Sequence, residues 1–239
     1  MHGVRALFHA EAPKALVQVE FNLALEEEML AVVAHNLREG DAFMDVGSNV
    51  GVFAVVSGRV VGQRGTVIAF EPDPRSFAQL QKNLSLNDLQ TAQAFMVALG
   101  EHDEKARLYV DRPAPSLIGG EGNSEGQGNY EWVQVVNGDR FLKMHGLPVP
   151  RVIKIDAEGY EYGVLRGLSA TLSDAAAELV ACEVHPYLLP KHTTVKAIVG
   201  LLKSFGFDEI TTLPRRGEVQ VIARKAGSAG RPTHAFAHK

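Results

Sequence analysis

Two short segments, about 20 residues apart, contain the residue types that bind nucleotides in α/β proteins. The first runs from Asp45 to Gly51 with the sequence DVGSNVG, and the second is Phe70-Glu71-Pro72; each follows an apolar run. In a strand–helix–strand unit of this kind, glycines let the backbone approach a ligand, and the later carboxylate accepts hydrogen bonds from ribose hydroxyls. The segments therefore predict a ribose-containing ligand, with Glu71 on its 2′,3′-diol.

The first segment departs from the dinucleotide-binding pattern in two ways. Its glycines, Gly47 and Gly51, are spaced G-x-x-x-G and not G-x-G-x-x-G, and Asp45 places a carboxylate where a pyrophosphate would be repelled. Both features argue against NAD and favour a ligand that has a ribose and no phosphate. The ammonium group of an amino-acid portion would be drawn towards Asp45, and Asn49 offers an amide to the same loop.

Polar residues also stand at the ends of two later apolar runs, namely Asp156 after the first and Glu183 with His185 after the second. Ligands of open α/β sheets bind beyond the carboxyl ends of the strands. These side chains should therefore lie at the same edge of the sheet as Asp45 and Glu71. For Asp156, capping of the following helix is the alternative interpretation.

Strand-like and helix-like patterns alternate along the chain in the order expected of a doubly wound α/β fold with a mostly parallel sheet. Buried strands are predicted over residues 43–46, 66–70, 94–99, 151–155 and 178–184. Helices are predicted over residues 23–37, 50–61, 74–83, 161–168 and 195–205, with the acidic triplet 26–28 on a solvated face. A hairpin is predicted from 209–212 and 218–223, and exposed strands over 105–111 and 132–136.

Residues 112–130 form a long segment that is rich in glycine, proline and serine and has no periodicity. Loops of this length are usually either functional or disordered. We interpret the segment as a mobile flap over the active site, with a passive linker as the alternative.

Bulk properties limit the class of protein. The formal charge of −4 gives no general attraction for nucleic acid. Cys182 is the only cysteine, which excludes an intrachain disulfide and a cysteine-based zinc site. The N-terminal residues do not read as a signal peptide, and no run approaches the roughly 18 apolar residues of a membrane span. We therefore expect a soluble, cytoplasmic protein with no nucleic-acid partner.

Three further blocks extend the pattern: IKIDAEGYE over residues 153–161, VLRG over 164–167 and EVHP over 183–186. Together with DVGSNVG and FEP, they resemble the FkbM-type S-adenosylmethionine-dependent methyltransferases, which are class I, Rossmann-like enzymes. The resemblance covers about residues 40–190. DVGSNVG is shared by many class I methyltransferases, whereas the IKIDAEGYE block is much more specific. Where such sequences often carry Thr-Leu-Asp before the fourth strand, this chain has VNGD and retains only Asp139.

The resemblance implies a seven-stranded sheet with a reversed last strand and S-adenosylmethionine as the cofactor. It also implies O-methylation of a hydroxyl on a sugar, glycan or polyketide-like small molecule. The residues expected to bind the cofactor are Asp45, Gly47, Asn49, Gly51, Glu71 and Pro72. The residues expected to be catalytic, near the acceptor, are His185, Asp156 and Glu158. We assign residues 1–40 to a lead-in and a helix packed on the core, 41–225 to the methyltransferase domain and 226–239 to a disordered tail.

An acceptor hydroxyl must lose its proton, and the sequence offers two candidates for the base. His185 has the ordinary pKa nearest neutrality, whereas Asp156 would compete if neighbouring carboxylates raised its pKa. Asp156, Glu158, Glu183 and His185 are alternatively suitable ligands for a divalent cation, a possibility that the sequence alone does not favour.

Two other functions fit the same architecture. A nicotinamide-dependent oxidoreductase is disfavoured by the missing third glycine and by Asp45. A non-catalytic module that retains the cofactor pocket is disfavoured because it would have no need for His185 or Glu158. The oligomeric state is not indicated by the sequence.

Overall fold

The computed structural model describes residues 4–9, 26–110, 115–117, 129–215 and 217–227. Strands of the larger sheet are β1 (Ala42–Val46), β2 (Thr66–Phe70), β3 (Ala92–Phe95), β8 (Val152–Asp156), β9 (Leu179–Val184), β10 (Phe207–Arg215) and β11 (Glu218–Lys225). Strands of the smaller sheet are β4 (Ala98–Gly100), β5 (Glu104–Tyr109), β6 (Ser116–Leu117) and β7 (Tyr130–Asn137). Helices are α1 (26–36), α2 (Val52–Val61), α3 (Pro74–Leu86), α4 (Gly138–Met144), α5 (Glu161–Gly167), α6 (Ser169–Ser173) and α7 (Val195–Ser204).

The larger sheet has seven strands in the order β10-β11-β9-β8-β1-β2-β3. β1 pairs in parallel with both β2 and β8, and β8 pairs in parallel with β9. β11 runs antiparallel to both of its neighbours, β9 and β10. The mostly parallel, seven-stranded α/β sheet with a reversed last strand is therefore confirmed.

Two apolar layers cover the two faces of this sheet. One contains α1, α2 and α3 against inward-facing residues such as Phe43 and Val67. The other contains α4 to α7 against residues such as Met44 and Ile68. Because successive side chains of a strand point to opposite faces, strands buried on both faces read as continuous apolar runs. This is why β2 could be predicted with its observed bounds from the sequence.

The smaller sheet was not predicted as a unit. Residues 94–99 were predicted as one strand, but the structure divides them: β3 belongs to the larger sheet and β4 to the smaller one, where β4 pairs with β7. The exposed strands predicted at 105–111 and 132–136 correspond to β5 and β7, which pair antiparallel. Most of the flap predicted at 112–130 lies outside the described residues, although Ser116 and Leu117 form β6 beside β5.

The first helix departs from its prediction at one position. Residues 26–36 are helical, and Glu27 and Glu28 are exposed as expected. Glu26 is different, because its Oε2 atom is buried and burial raises the pKa of its carboxyl group. It therefore faces the interior, near Lys154 and Asp156, and does not share the solvated face.

Residues 10–25 and 228–239 lie outside the described part of the chain, and with them most of the predicted lead-in and of the predicted tail. Residues 4–9 lie along α3, where the backbone N–H groups of Leu7 and His9 donate to the side chains of Asn87 and Asn83. Among the described helices, none has the length and apolar character needed to cross a membrane.

Candidate functional site

The glycine-containing loop between β1 and α2 is held by the neighbouring strand. The N–H groups of Gly47 and Ser48 both donate to the carbonyl oxygen of Phe70 at 3.0 Å. Gly47 has a φ of +73°, and a Cβ at this position would overlap the backbone oxygen of Asp156. Only glycine combines this backbone conformation with this close approach, so the loop lies directly against the carboxyl end of β8.

Glu71 lies at the carboxyl end of β2, with 7% of its surface exposed. Its Oε2 accepts a hydrogen bond from the Asn49 N–H at 2.7 Å, and its Oε1 accepts one from the Asp73 N–H at 2.8 Å. Burial raises the pKa of Glu71 to about 7, although the two N–H donors act in the opposite direction. The carboxylate is thus fixed between two backbone segments, with its remaining lone pairs available to a ligand.

Asp45 is fully buried, and it lies beneath the loop and not at its surface. Its Oδ1 is 3.6 Å from Lys154 Nζ, and Lys154 Nζ also donates to the Gly47 carbonyl at 2.9 Å and to Asp156 Oδ2 at 3.4 Å. Burial lowers the pKa of Lys154, but the surrounding carboxylates, Asp156 foremost, raise the pKa by a larger amount. The net shift is therefore upward. Lys154 is therefore a structural cation that joins the loop to β8, and Asp45 is its partner.

A cleft of about 630 Å³, including space open to solvent, lies at the carboxyl edge of the sheet. Six of the nine predicted site residues line it: Gly47, Asn49, Glu71, Pro72, Asp156 and Glu158. Its apolar walls come from the smaller sheet and neighbouring segments and include Val97, Ala98, Leu99, Leu108 and Leu117. Asp45, Gly51 and His185 are not among the lining residues, and all three are buried.

His185 follows β9 and is 8% exposed. Its Nδ1 lies 2.9 Å from Glu161 Oε1, and Glu161, at the start of α5, is fully buried. The other ring nitrogen, Nε2, lies 3.6 Å from Glu158 Oε2 and 3.9 Å from Asp156 Oδ1. All three predicted catalytic residues are thus brought together.

The charges around His185 change its acid–base properties. Burial lowers the pKa of the imidazole, but the hydrogen bond to Glu161 and the charges of Asp156 and Glu158 raise it, with a net result of about 10. Burial and the charge of Asp156 raise the pKa of Glu158 to about 7. The surroundings of His185 thus shift its pKa upward from the ordinary value on which its prediction as the base rested.

Three acidic residues of this region were missed by the sequence analysis as site residues. Glu218 begins β11, and its Oε1 lies 3.9 Å from His185 Nε2. Because β11 runs antiparallel, its first residue lies at the same edge as the last residues of β8 and β9, so the predicted reversed strand contained the signal. Glu161 is the last residue of the 153–161 block that carries the family resemblance, and this was its signal, whereas nothing in the local sequence of Glu26 distinguishes it from a solvated acid.

The cleft fits the cofactor that the sequence resemblance implies. S-adenosylmethionine carries a ribose diol, a sulfonium cation and an apolar adenine, and the cleft offers the Glu71 carboxylate, two further acids in Asp156 and Glu158, and apolar walls. Gly47 and Asn49 both line the cleft, so the loop itself forms part of this surface. The residues that would hold the cofactor are Gly47, Asn49, Glu71 and Pro72.

Comparisons with known proteins identify the family of the chain. Residues 45–209 match the family model described as the methyltransferase FkbM domain. The chain is 26% identical over 223 residues to the hexuronic acid methyltransferase AglP of Haloferax volcanii. This alignment covers 93% of this chain and 86% of that protein. It is 28% identical over 177 residues to methyltransferase 1 of Beauveria bassiana, and this alignment covers 65% of this chain and 70% of that protein.

Among solved structures, the chain is similar to the methyltransferase FkbM of Methylobacillus flagellatus KT, with a TM-score of 0.55 and 18% identity. The alignment covers 88% of this chain and 53% of that one, so the chain spans about half the length of the solved protein. At 18% sequence identity, this similarity shows that the two proteins share a fold and no more than that. The family match, which spans most of the chain and contains the glycine loop, Glu71 and the 153–161 block, goes further than the fold. The chain therefore belongs to the FkbM methyltransferase family and is an S-adenosylmethionine-dependent methyltransferase.

Proposed function

We propose that this methyltransferase methylates a hydroxyl oxygen of a sugar, glycan or polyketide-like small molecule and forms a methyl ether. One observation carries the proposal: a single cleft is lined by Glu71 and Asn49, which fit the ribose end of the cofactor, and by Asp156 and Glu158, which can receive a hydroxyl proton. β1 lies between β2 and β8 in the sheet, so Glu71 and Asp156 flank it on either side.

The cofactor-binding side of the cleft positions the methyl donor. S-adenosylmethionine supplies a methyl group on a positively charged sulfur. Glu71, fixed by the N–H groups of Asn49 and Asp73, accepts hydrogen bonds from the ribose hydroxyls. Gly47 lets the loop approach closely, and Lys154 holds the loop to β8 through the Gly47 carbonyl. Positioning of two reactants in this way is worth up to about 7–11 kcal/mol of the barrier.

The acceptor side supplies a proton acceptor. Asp156 and Glu158 are the carboxylates that line the cleft, and either can accept the hydroxyl proton when the new carbon–oxygen bond forms. A base in this position typically adds about 10²–10⁴-fold to the rate. His185 lies behind both carboxylates and is fixed by Glu161, so we assign it a positioning role and not the role of the base.

The charge of the cleft favours a neutral acceptor oxygen. Glu71, Asp156 and Glu158 all contribute carboxyl groups to the lining, and an acceptor carboxylate would be repelled by them. A hydroxyl has no such penalty. One similar protein is named as a hexuronic acid methyltransferase; a sugar acid is therefore the first acceptor to test, with methylation expected on a ring hydroxyl and with its carboxylate directed away from these acids.

The test is methyl transfer from labelled S-adenosylmethionine to a panel of acceptors, namely a hexuronic acid glycoside, the matching neutral hexose glycoside and a polyhydroxylated macrolide. Mild alkali then separates the two possible products, because a methyl ether is stable and a methyl ester is hydrolysed. We expect alkali-stable label on at least one acceptor and none with Glu71→Ala, which lacks the ribose-binding group. Label that is released by alkali would contradict the proposed hydroxyl chemistry.

A further inference from the structure

One cluster of side chains is not explained by the binding of S-adenosylmethionine. Asp156, Glu158 and His185 come from the end of β8, the turn after it and the end of β9, and their ligand atoms all lie within 4.8 Å of one another. Glu183 and Glu218 form a second group with the same imidazole. The cluster thus gathers four carboxyl groups around a single imidazole.

One buried atom of the cluster lacks a hydrogen-bond partner among the described residues, and a ring nitrogen facing the same space makes no hydrogen bond to the carboxylates around it. Asp156 Oδ1 is buried and accepts no hydrogen bond, since Lys154 contacts the other oxygen, Oδ2. His185 is more than nine-tenths buried, and its Nε2 points towards Glu158, Asp156 and Glu218 at 3.6–3.9 Å without a hydrogen bond to any of them. Polar atoms in such surroundings are normally satisfied, so the cluster is short of one partner at its centre.

The distances indicate what kind of partner is missing. A separation of 3.6–3.9 Å is too long for a hydrogen bond. Around a cation with metal–ligand bonds of about 2.1 Å in octahedral geometry, adjacent ligand atoms lie ~3.0 Å apart and opposite ones ~4.2 Å apart. The observed separations fall between these values, as expected for ligands that surround an ion and require only small adjustments.

A carboxylate that would orient His185 as a metal ligand is also present. Metal-bound histidines usually direct their other ring nitrogen at a carboxylate or a carbonyl, which fixes the ring and its tautomer. Glu161 Oε1 lies 2.9 Å from His185 Nδ1 and also accepts the Gly159 N–H at 2.9 Å. Because a carboxylate only accepts, Nδ1 carries its proton and Nε2 is the atom presented to the cluster.

We propose that Asp156, Glu158 and His185 bind a divalent cation of the Mn²⁺ or Mg²⁺ type at the acceptor side of the cleft. Carboxylate oxygens suit these hard cations, and the single imidazole nitrogen favours Mn²⁺ of the two. Glu183 and Glu218 add negative charge around the site. Asp156 and Glu158 also line the cleft, so the ion has access to solvent and to a bound acceptor. A bound ion would lower the pKa of an acceptor hydroxyl; that consequence rests on the proposed function, whereas the binding itself does not.

The test is the binding of Mn²⁺ to the full chain, freed of metal with a chelator, in the absence of donor and acceptor. Electron paramagnetic resonance of the free ion gives the stoichiometry and affinity. We expect one equivalent per chain, competition by Mg²⁺, and at least about tenfold weaker binding in Glu158→Gln and in Asp156→Asn. Glu209→Gln is the matched control, because it removes the same charge from an exposed position on β10 and should bind Mn²⁺ as the unmodified protein does.

A second measurement identifies the nitrogen ligand without relying on a variant that folds. Spin-echo modulation of the bound Mn²⁺ should show a directly coordinated imidazole nitrogen, and His185→Gln should abolish it. The proposal is overturned by the absence of saturable Mn²⁺ binding, by unchanged binding in both acidic variants, or by the absence of a nitrogen signal in the unmodified protein. None of these readouts depends on methyl transfer, so failure of the acceptor screen would leave them unaffected.

Discussion

At the scale of single residues, Glu71 shows how burial and hydrogen bonding oppose each other at a binding site. Desolvation disfavours the charged form of a carboxyl group, whereas N–H donors favour it. In Glu71 desolvation is the larger effect, and the pKa rises to about 7 despite the donors from Asn49 and Asp73. The nearby charges act in opposite directions, since Asp73 raises the pKa and Lys154 lowers it.

This pKa makes ribose binding dependent on pH. Hydroxyls donate to an ionised carboxylate, so ligand binding requires the deprotonated form of Glu71. We expect the association constant of adenosine, which has the ribose diol but not the amino-acid groups of the cofactor, to be constant above pH 7. Below pH 7 it should fall about tenfold per pH unit, because one proton must be released on binding. Calorimetric titration between pH 5 and 8.5 measures this dependence.

The control for this experiment is Glu71→Gln, which keeps the shape of the side chain and removes its ionisation. Its adenosine affinity should be weaker throughout and independent of pH. A constant affinity of the unmodified protein from pH 5.5 to 8, together with an unchanged affinity in Glu71→Gln, would contradict contact between Glu71 and the ribose.

The sequence located most of the site but not the roles within it. The rule that ligands bind beyond strand ends correctly gathered Glu71, Asp156 and Glu158 along one cleft. It could not show that Asp45 points down to Lys154, because the direction of a side chain at a strand end depends on the neighbouring strands. It also could not show that Glu161 contacts His185 Nδ1, which requires the tertiary packing of α5 against β9.

At the scale of elements, the loop after β1 depends on contact with the end of β8. We expect Gly47→Ala to reduce the free energy of unfolding by more than Gly146→Ala and to abolish cofactor binding. Both glycines have positive φ, +73° and +61°, so alanine costs each about 1–2 kcal/mol in backbone strain. Only at Gly47 would the new Cβ also overlap backbone, at Asp156, which adds about 1–3 kcal/mol. Urea denaturation of the two variants checks the difference; equal losses would contradict the close approach.

The opposite edge of the sheet is held by Arg151, which precedes β8. Its Nε and Nη2 donate to Glu178 Oε2 at 3.0 and 2.7 Å, and its Nη1 donates to Asp41 Oδ2 at 3.2 Å. Asp41 and Glu178 precede β1 and β9, so one guanidinium joins the starts of three adjacent strands.

We expect Arg151→Met to lower the free energy of unfolding by about 2–3 kcal/mol, because the methionine keeps the apolar stem and leaves two partly buried carboxylates without their donor. The affinity for S-adenosylhomocysteine should not change, since the site lies at the other edge. Arg64→Met is the control: Arg64 pairs with Glu39 in solvent, where such pairs contribute at most about 1 kcal/mol. A loss in Arg151→Met no larger than in this control would show that the strand starts are held by other contacts.

Which elements could be predicted from the sequence follows from how they are buried. β2 and β9 lie inside the sheet and read as continuous apolar runs, so their existence and approximate bounds were clear. β3 and β4 are separated by only two residues, and the local pattern does not record that the chain leaves one sheet there and enters another. The pairing of β4 with β7 joins residues more than 30 positions apart and has no local signal.

At the scale of the whole molecule, the two sheets meet at the cleft. Residues of the larger sheet and its loops supply the polar groups, whereas Leu108 on β5 and Leu117 on β6 supply apolar wall. The family resemblance predicted the first sheet and its topology. It did not predict that the exposed-looking strand at 105–111 would contribute to the wall, because its alternating pattern indicates only that one of its faces is solvated.

Because both sheets line the cleft, we expect S-adenosylhomocysteine, the product formed from the cofactor, to stabilise both of them. S-adenosylhomocysteine at about 100 times its Kd stabilises the folded state by about 2.7 kcal/mol. Amide hydrogen exchange should therefore slow upon binding not only in the 47–51 loop and at 71–73, but also in β4 and β5, whose residues Ala98, Leu99 and Leu108 line the cleft. Glu71→Ala at the same ligand concentration should show no slowing in either sheet. Protection confined to 47–51 and 71–73 in the unmodified protein would mean that the smaller sheet packs beside the cofactor site without contributing to it.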